Sequence, residues 1–186
     1  IRDGLVSRGL GDVYKRQLKP RSKGKRLSIR DYQSDAFCHA IQRHRCLLVS
    51  PTASGKSLII YMLCRHYLNM INNNILIIVP TTSLVEQLYK DFKDYGYDVE
   101  TNVSRKYHGY DIDEDKRIVI STWQSLYKMP RKFFEDYGAV IGDEAHLFKA
   151  VSLTKIMTKL TDCKYRVGLT GTLDDSKTHK LVCLLY

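Results

Sequence analysis

The sequence has no long hydrophobic run. Its longest uninterrupted apolar stretch, residues 58–64, is far shorter than the roughly 20 residues that a membrane-spanning helix needs. The amino-terminal residues also contain no apolar core of a secretory signal. These absences argue against a membrane partner and against export, and they predict a soluble, cytoplasmic protein.

No Cys-x-x-Cys pair is present, and the number of cysteines is odd. Most of them lie in apolar or helical contexts, which are typical of buried free thiols in a reducing compartment. A zinc site is not expected, because no set of cysteines and histidines has the spacing of zinc ligands. The five cysteines are Cys38, Cys46, Cys64, Cys163 and Cys183.

The net charge of +10 is unevenly distributed along the 186 residues. Residues 1–26 contain nine of the 30 basic residues and only two of the 20 acidic ones. Residues 1–17 have no helical or strand period and no initiating methionine, and they are interpreted as a non-native leader. Residues 18–26 are interpreted as a basic linker. The remainder, residues 27–186, is close to neutral, so bulk charge alone does not predict nucleic-acid binding.

Short apolar runs alternate with helical periods from residue 27 onward. Strands buried on both faces are predicted at 46–49, 75–79, 118–120, 139–141 and 165–169, because these runs are continuously apolar. Helices are predicted at 31–42, 58–68, 83–95, 152–160 and 175–185, the third with a capping box from Ser83 to Glu86. The polar segment 97–116 has no clear period. The pattern predicts an α/β fold with a mostly parallel sheet flanked by helices in three layers.

A turn of small residues joins the first predicted strand to an apolar helix. It reads Ser50-Pro51-Thr52-Ala53-Ser54-Gly55-Lys56-Ser57. Backbone N–H groups in such a turn point at phosphate oxygens. Lys56 would contact the β and γ phosphates of ATP, and Ser57 would offer its hydroxyl to Mg²⁺. Because Ser50 stands where the usual phosphate-loop pattern has glycine, the turn alone is also compatible with an ordinary strand-turn-helix junction.

Two adjacent carboxylates follow the predicted strand at 139–141. Asp143 and Glu144 are charges that a protein core does not accept without a cation or a function. Asp143 suits magnesium binding, and Glu144 suits orienting and deprotonating an attacking water. The alternative is an acidic helix N-terminus. The phosphate loop earlier in the chain favours the catalytic interpretation.

Six collinear segments resemble motifs of the first RecA-like domain of superfamily 2 helicases of the DEAH type. The resemblance covers residues 27–186, and six motifs in order are far more specific than either box alone. The segments are Arg30-Asp31-Tyr32-Gln33, Pro51-Thr52-Ala53-Ser54-Gly55-Lys56-Ser57, Val79-Pro80-Thr81-Thr82-Ser83-Leu84-Val85-Glu86-Gln87, Thr122-Trp123-Gln124-Ser125-Leu126, Asp143-Glu144-Ala145-His146 and Leu169-Thr170-Gly171-Thr172.

The resemblance implies a RecA-like P-loop domain that uses ATP and Mg²⁺, with a role for each motif. Catalysis is expected from Lys56, Asp143, Glu144 and His146. ATP binding is expected from Arg30, Gln33, Thr52, Ala53, Ser54, Gly55, Lys56 and Ser57. Magnesium is expected at Ser57 and Asp143. Nucleic-acid contacts are expected from Pro80, Thr81, Thr82, Gln87, Thr122, Trp123 and Gln124. Coupling of hydrolysis to movement is expected from Thr170, Gly171 and Thr172, with His146 bridging to one of the two threonines.

The residues alone leave plainer interpretations open for several of these positions. Gln33 is compatible with a solvated helix residue, and the segment Pro80-Thr81-Thr82 is compatible with a simple helix cap. Trp123, the one tryptophan of the chain, is equally suited to stacking on a base and to packing in the core, with packing slightly favoured.

The residues at several motif positions indicate which group of helicases the chain resembles. Gly171 stands where much of the superfamily has Ala, and Leu173 stands in place of Pro, which shifts the resemblance away from the RNA-remodelling DEAD-box helicases. Three segments are similar to the recombination helicases of T-even phages: Ile29-Arg30-Asp31-Tyr32-Gln33, Ile77-Ile78-Val79-Pro80-Thr81-Thr82 and Thr122-Trp123-Gln124. This resemblance implies a motor that acts on branched DNA, in the host cytoplasm if a phage encodes it. It also implies a second RecA-like domain in cis carrying an arginine finger, so the isolated chain is expected to hydrolyse ATP very slowly.

Three functions are weighed from the sequence. The first is the ATP-binding half of a DNA helicase for recombination intermediates. The second keeps the motor but gives it to an RNA helicase or a restriction-enzyme translocase. The third is a degenerate nucleotide-binding module that only docks a partner, and intact Lys56, Ser57, Asp143 and Glu144 argue against it.

Overall fold

A six-stranded parallel sheet forms the centre of the structure, which is a computed structural model describing residues 21–22, 25–51, 53–107, 111–113, 115–144 and 150–171. The strands are β3 (Arg45–Val49), β4 (Asn74–Val79), β5 (Val103–Lys106), β6 (Ile118–Thr122), β7 (Tyr137–Gly142) and β8 (Tyr165–Thr170). Their order across the sheet is β3-β8-β7-β4-β6-β5, and every neighbouring pair is parallel. Two further strands, β1 (Arg21–Ser22) and β2 (Lys25–Arg26), pair antiparallel within the segment predicted as a basic linker.

Helices cover both faces of the sheet. They are α1 (Asp31–Arg43), α2 (Lys56–Met70), α3 (Thr82–Asp94), α4 (Val99–Asn102), α5 (Trp123–Leu126), α6 (Arg131–Phe134) and α7 (Ala150–Lys159). One buried cluster lies between the sheet and α1, α2 and α3, and the other joins the sheet to α5, α6 and α7. Ile75 and Ile77 of β4 enter the first cluster, whereas Leu76 and Ile78 enter the second. This alternation confirms the predicted three-layer α/β architecture.

The predicted elements within the described residues are present, with different bounds. All five predicted strands form, and the predicted helices correspond to α1, α2, α3 and α7. The predicted helix at 175–185 and the leader at 1–17 lie outside the described residues. Strand β5 and the short helices α4, α5 and α6 were not predicted, because each is too short to show a hydrophobic period.

The predicted capping box of the third helix is wrong. Helix α3 begins one residue earlier than predicted, and its N-cap is Thr81, whose side chain accepts a hydrogen bond from the Leu84 N–H at 3.4 Å. Glu86 instead accepts hydrogen bonds from Arg105 and Tyr107. Both donors belong to the segment without a clear sequence period, so a long-range partner replaced the local cap.

The thiols of four cysteines are buried and free, as predicted: Cys38, Cys46, Cys64 and Cys163. Burial raises the pKa of Cys46 to about 11 and that of Cys163 to about 12, so both remain protonated near neutral pH. Cys183 lies outside the described residues. In the described part of the chain, no helix combines the length and the apolar character needed to cross a membrane.

The order of the strands creates a crevice at the carboxyl edge of the sheet. The chain passes from β3 over the positions of β8 and β7 before it forms β4, and β8 later fills the place beside β3. Loops on either side of such a switch point diverge and leave room for a ligand. The loop after β3 and the loop after β7 therefore lie on either side of the end of β8.

Candidate functional site

The phosphate loop, residues 50–57, is held to the end of β8 by its first residue. The Ser50 N–H donates to the Thr170 carbonyl at 2.8 Å, and the Ser50 and Ser54 hydroxyls are 2.5 Å apart. Ser50, where the usual pattern has glycine, therefore uses its side chain to close the loop. Ala53 and Gly55 have φ of +64° and +76°, a left-handed conformation that costs a non-glycine residue energy. These two turns bring the chain to the N-terminus of α2 at Lys56.

Gln33 connects helix α1 to this loop. Its side chain is buried, with 5% exposure, accepts the Arg30 N–H at 3.0 Å and donates to the Ser54 carbonyl at 2.9 Å. The Tyr32 hydroxyl donates to the same carbonyl at 2.8 Å. A Cβ at Gly55 would lie 2.5 Å from Gln33 Nε2, so this close approach also requires glycine. The interpretation of Gln33 as a solvated helix residue is wrong.

A cavity of about 220 Å³ lies where α1 meets the phosphate loop. Its wall includes the two residues predicted on the adenine side, Arg30 and Gln33, together with part of the phosphate loop. Tyr95, from the end of α3, also contributes to its wall. The lining residues are Leu27, Ser28, Arg30, Gln33, Ala53, Ser54, Gly55, Leu58 and Tyr95.

The two carboxylates follow β7 and have different surroundings. Asp143 is only 6% exposed, and its N–H donates to the Ile78 carbonyl at 2.9 Å. Burial raises the pKa of Asp143 to about 6, Lys56 opposes that rise, and the charge of Glu144 adds to it. Glu144 is half-buried, with φ of +49°, and its carboxylate accepts a hydrogen bond from the Lys56 ammonium. This ion pair joins the phosphate loop to the acidic pair.

Ser57, in the first turn of α2, faces the end of α3. Its hydroxyl oxygen is 2.8 Å from the Tyr95 hydroxyl oxygen. Burial raises the pKa of the nearby Asp91 carboxyl, and a hydrogen bond with Ser57 partly offsets the rise. Ser57 and Asp143 are hard oxygen donors of the kind Mg²⁺ prefers. A cation beside Asp143 would also stabilise the ionised carboxylate that burial disfavours, so these residues fit the metal.

The predicted coupling motif lies partly between the two loops. Thr170 ends β8 fully buried, and its carbonyl accepts the Ser50 N–H described above. Gly171 follows it and is half-buried. Thr52, His146 and Thr172 lie outside the described residues, so the predicted bridge from His146 to the coupling motif stays a prediction.

The segments predicted to contact nucleic acid line a separate groove of about 830 Å³ along the same edge of the sheet. Gln124 donates to the Pro80 carbonyl at 3.2 Å and so joins the two predicted motifs. Gln87 is exposed on α3 and does not line the groove. Trp123 is half-buried against the second cluster, 6.4 Å from the Tyr127 ring, which favours core packing. The lining residues are Pro80, Thr81, Thr82, Lys106, Tyr107, Asp111, Thr122, Gln124, Ser125, Lys128 and Met129.

Residues 26–175 match the family described as "Type III restriction enzyme, res subunit". The chain belongs to this family. It is 35% identical over 178 residues to "ATP-dependent DNA helicase uvsW" of Enterobacteria phage T4, a match covering 94% of this chain and 36% of the relative. It is 28% identical over 162 residues to "DNA 3'-5' translocase XPB2" of Sulfurisphaera tokodaii, covering 86% of this chain and 34% of the relative. The chain thus spans about a third of the length of these relatives.

The crystal structure of the UvsW helicase from bacteriophage T4 superposes with a TM-score of 0.88 at 34% identity. The match covers 95% of this chain and 64% of that chain. The fold of this family member is therefore that of a RecA-like helicase domain, as the sequence resemblance implied. The phosphate loop and the acidic pair lie within residues 26–175 of the family match.

Several residues at these sites were not predicted from the sequence of this family member. Tyr95 lines the cavity and contacts Ser57, whereas Lys106, Tyr107 and Lys128 line the groove. Tyr95 shows no motif, and its role depends on the end of α3 lying against α2. Lys106 and Tyr107 come from the segment without a clear sequence period, so only the pairing of β5 with β6 brings them to the groove.

Proposed function

We propose that this domain binds Mg²⁺·ATP at the carboxyl edge of β3, β8 and β7 and acts as the ATP-binding motor domain of a DNA helicase. The observation that carries the proposal is the ion pair between Lys56 and Glu144. It brings together a cation suited to phosphate and a carboxylate suited to activating water. A purely structural ion pair would not need the adjoining buried carboxylate of Asp143. It would also not need a phosphate loop with two residues, Ala53 and Gly55, in the left-handed conformation.

ATP would change the partners of these side chains. Phosphate oxygens at the N-terminus of α2 compete for the Lys56 ammonium and draw it away from Glu144. Glu144, without its cationic partner, is then a carboxylate able to accept a proton from a water attacking the γ phosphorus. Asp143 and Ser57 would hold Mg²⁺, which supplies charge neutralisation to the phosphates.

Turnover in this proposal also needs an arginine from a second RecA-like domain in cis. The curated relatives are about three times as long as the matched region. In other phosphoryl-transfer enzymes, an arginine finger is worth about 10³ to 10⁵ in rate. We therefore expect the 186-residue chain to bind ATP and to hydrolyse it very slowly.

The groove of about 830 Å³ is the proposed contact with the nucleic-acid strand. Thr81 and Thr82 are exposed at the start of α3, where hydroxyls and free N–H groups can hold a phosphate. Lys128 adds an exposed positive charge to the same groove. Because the relatives are a DNA helicase and a DNA translocase, DNA is the proposed nucleic acid. The resemblance to UvsW favours branched DNA as the substrate. For a phage protein, the proposed location is the cytoplasm of the host.

Nucleotide binding tests the first half of the proposal. A fluorescent ATP analogue is titrated into the chain with Mg²⁺ and again with excess EDTA. We expect binding that Mg²⁺ strengthens and that Asp143→Asn makes insensitive to Mg²⁺. The variant Asp98→Asn, at an exposed carboxylate on the N-cap of α4, serves as the matched control and is expected to behave as the unaltered chain. Absence of nucleotide binding by the folded chain would refute the proposal.

The translocase of a restriction enzyme is the second candidate, because the matching family carries that description. Binding of forked DNA, plain duplex DNA and duplex RNA of equal length separates the candidates in anisotropy titrations at several salt concentrations. A helicase for recombination intermediates is expected to prefer the fork, whereas a translocase is expected to bind plain duplex equally well. A preference for RNA would contradict both.

A further inference from the structure

The end of helix α3 lies against the hydroxyl assigned to the metal. Tyr95 follows the last residue of α3, and its hydroxyl oxygen is 2.8 Å from Ser57 Oγ. Tyr95 also borders the cavity between α1 and the phosphate loop. The same residue therefore contacts a proposed magnesium ligand and borders the proposed nucleotide cavity.

The position of Tyr95 is fixed from both its backbone and its ring. The Gly96 N–H donates to the Lys93 carbonyl at 3.0 Å and the Tyr97 N–H to the Phe92 carbonyl at 3.1 Å, which is the Schellman pattern of a firmly closed helix end. Gly96 has the left-handed φ of +86° that this pattern requires. The Tyr95 ring packs 5.3 Å from the ring of Tyr61, a buried residue of α2. Tyr95 is thus a rigid partner for Ser57.

A serine hydroxyl that binds a cation through its oxygen must still place its proton on an acceptor. Two groups can accept that proton: the Tyr95 hydroxyl, whose oxygen lies 2.8 Å from Ser57 Oγ, and the Asp91 carboxylate, which also forms a hydrogen bond with Ser57. Outer partners of this kind fix the orientation of a metal ligand. We propose that Tyr95 is a positioning residue that accepts the Ser57 proton and thereby directs the Ser57 lone pair toward Mg²⁺. The proposal rests on the proposed function of the nucleotide site.

The variant Tyr95→Phe tests this inference, because it removes one hydroxyl and keeps the ring against Tyr61. Nucleotide affinity is measured over a Mg²⁺ titration and again with EDTA. We expect the Mg²⁺ concentration at half-saturation to rise about 10-fold, the lower end of the usual effect of removing such a partner. Affinity without Mg²⁺ is expected to change much less, because the ring that borders the cavity is kept. Tyr97→Phe is the matched control, because Tyr97 also packs on the Tyr61 ring, at 6.0 Å.

A double variant separates positioning from a general structural role. In the Ser57→Ala background, Tyr95→Phe is expected to have no further effect on the Mg²⁺ titration, since the proton to be accepted is gone. If Tyr95→Phe weakens nucleotide binding equally with and without Mg²⁺, or adds its full effect to Ser57→Ala, Tyr95 has only a structural role. If the unaltered chain shows no Mg²⁺-dependent binding, the proposed function itself fails. If it does show such binding and Tyr95→Phe leaves the titration unchanged, this inference alone fails.

Discussion

The proposed nucleotide site and the groove differ in how firmly some of their side chains are held. At the nucleotide site, Gln33 is buried with two hydrogen bonds and Lys56 is paired with Glu144. The groove is more varied: Thr122 is buried, with its hydroxyl 3.0 Å from that of Ser125. Thr82 and Gln124 are exposed, and Gln124 makes one longer hydrogen bond of 3.2 Å. A site for chemistry benefits from groups fixed in advance, whereas a surface that moves along a polymer needs contacts that form and break readily.

The largest expected effect belongs to Lys56→Ala. Loss of an ammonium that makes charge-assisted hydrogen bonds to two phosphates is expected to weaken ATP binding by about 100-fold or more. DNA binding in the groove is expected to stay within about twofold. Isothermal titration with Mg²⁺·ATP and anisotropy with labelled DNA measure the two effects on one preparation.

Lys93→Ala is the matched control for that experiment. Lys93 pairs with Glu100 at 3.1 Å on the exposed surface of α3 and α4, and it lines neither the cavity nor the groove. Equal loss of ATP binding in both lysine variants, or loss of DNA binding in Lys56→Ala, would remove the distinction between the nucleotide site and the groove.

The second prediction concerns the buried carboxylate in the metal-free chain. The pKa of Asp143 is raised from 3.8 to about 6, so the folded state binds more protons than the unfolded state in that interval. Stability therefore falls as pH rises from about 4 to about 6 and stays reduced above pH 6. The shift corresponds to about 3 kcal/mol. Asp143→Asn is expected to recover stability of that order at pH 8 and little at pH 4, in urea unfolding with EDTA.

Asp98→Asn provides the opposite case. Hydrogen bonds from Thr101 lower the pKa of this exposed N-cap carboxylate, so its ionised form stabilises the fold. Stability from Asp98 is therefore present at neutral pH and lost in acid. Asp98→Asn is therefore expected to lose stability at pH 8, whereas Asp143→Asn is expected to gain it. A loss of stability at pH 8 in Asp143→Asn would contradict the prediction that the buried Asp143 charge destabilises the metal-free fold.

The third prediction uses the same amide side chain in both places. Gln33→Ala removes a buried side chain with its two partly buried hydrogen bonds and is expected to lower the free energy of unfolding by about 1–3 kcal/mol. Gln124→Ala removes an exposed side chain with one longer hydrogen bond to the Pro80 carbonyl, and it is expected to change the free energy of unfolding by less than about 0.5 kcal/mol. Urea midpoints of the two variants give the comparison directly. Equal costs would show that the groove is as firmly built as the nucleotide site.

The smallest predicted effect is that of Lys128→Ala. Removing one phosphate contact is expected to weaken DNA binding severalfold at low salt. It is also expected to reduce the slope of log affinity against log salt concentration by about one. Nucleotide binding is expected to be unaffected. Lys132→Ala is the control, since Lys132 is also exposed but does not line the groove. An unchanged salt slope for Lys128→Ala would exclude Lys128 from the strand contact.

The sequence predicted the framework of this fold better than its connections. Five strands were predicted because buried parallel strands are continuously apolar, and α2 was predicted from the same kind of run. Strand β5 was missed because Ser104, Arg105 and Lys106 are polar, and its pairing with β6 depends on distant residues. The wrong prediction of the α3 cap has the same cause. Glu86, predicted to complete a cap with Ser83, instead accepts hydrogen bonds from Arg105 of β5 and from Tyr107 just after it.

The candidate site divides in a similar way. Lys56, Asp143 and Glu144 were predicted because their motifs are local and consecutive, and the structure brings their loops together. Tyr95 had no local signal, because its proximity to Ser57 follows from how α3 packs on α2. The hydrogen bond from Gln33 to the phosphate loop was not predicted either, since it joins residues 21 positions apart.

Helix α3 has one end at each site. Thr81 caps its start in the groove, and Tyr95 ends it beside Ser57, with 13 helical residues between them that span about 20 Å. If nucleotide binding displaces this helix and the displaced position has a different affinity for nucleic acid, thermodynamic reciprocity requires nucleic acid to change the nucleotide affinity by the same factor. A single short helix thus connects the proposed nucleotide site directly to the proposed nucleic-acid groove.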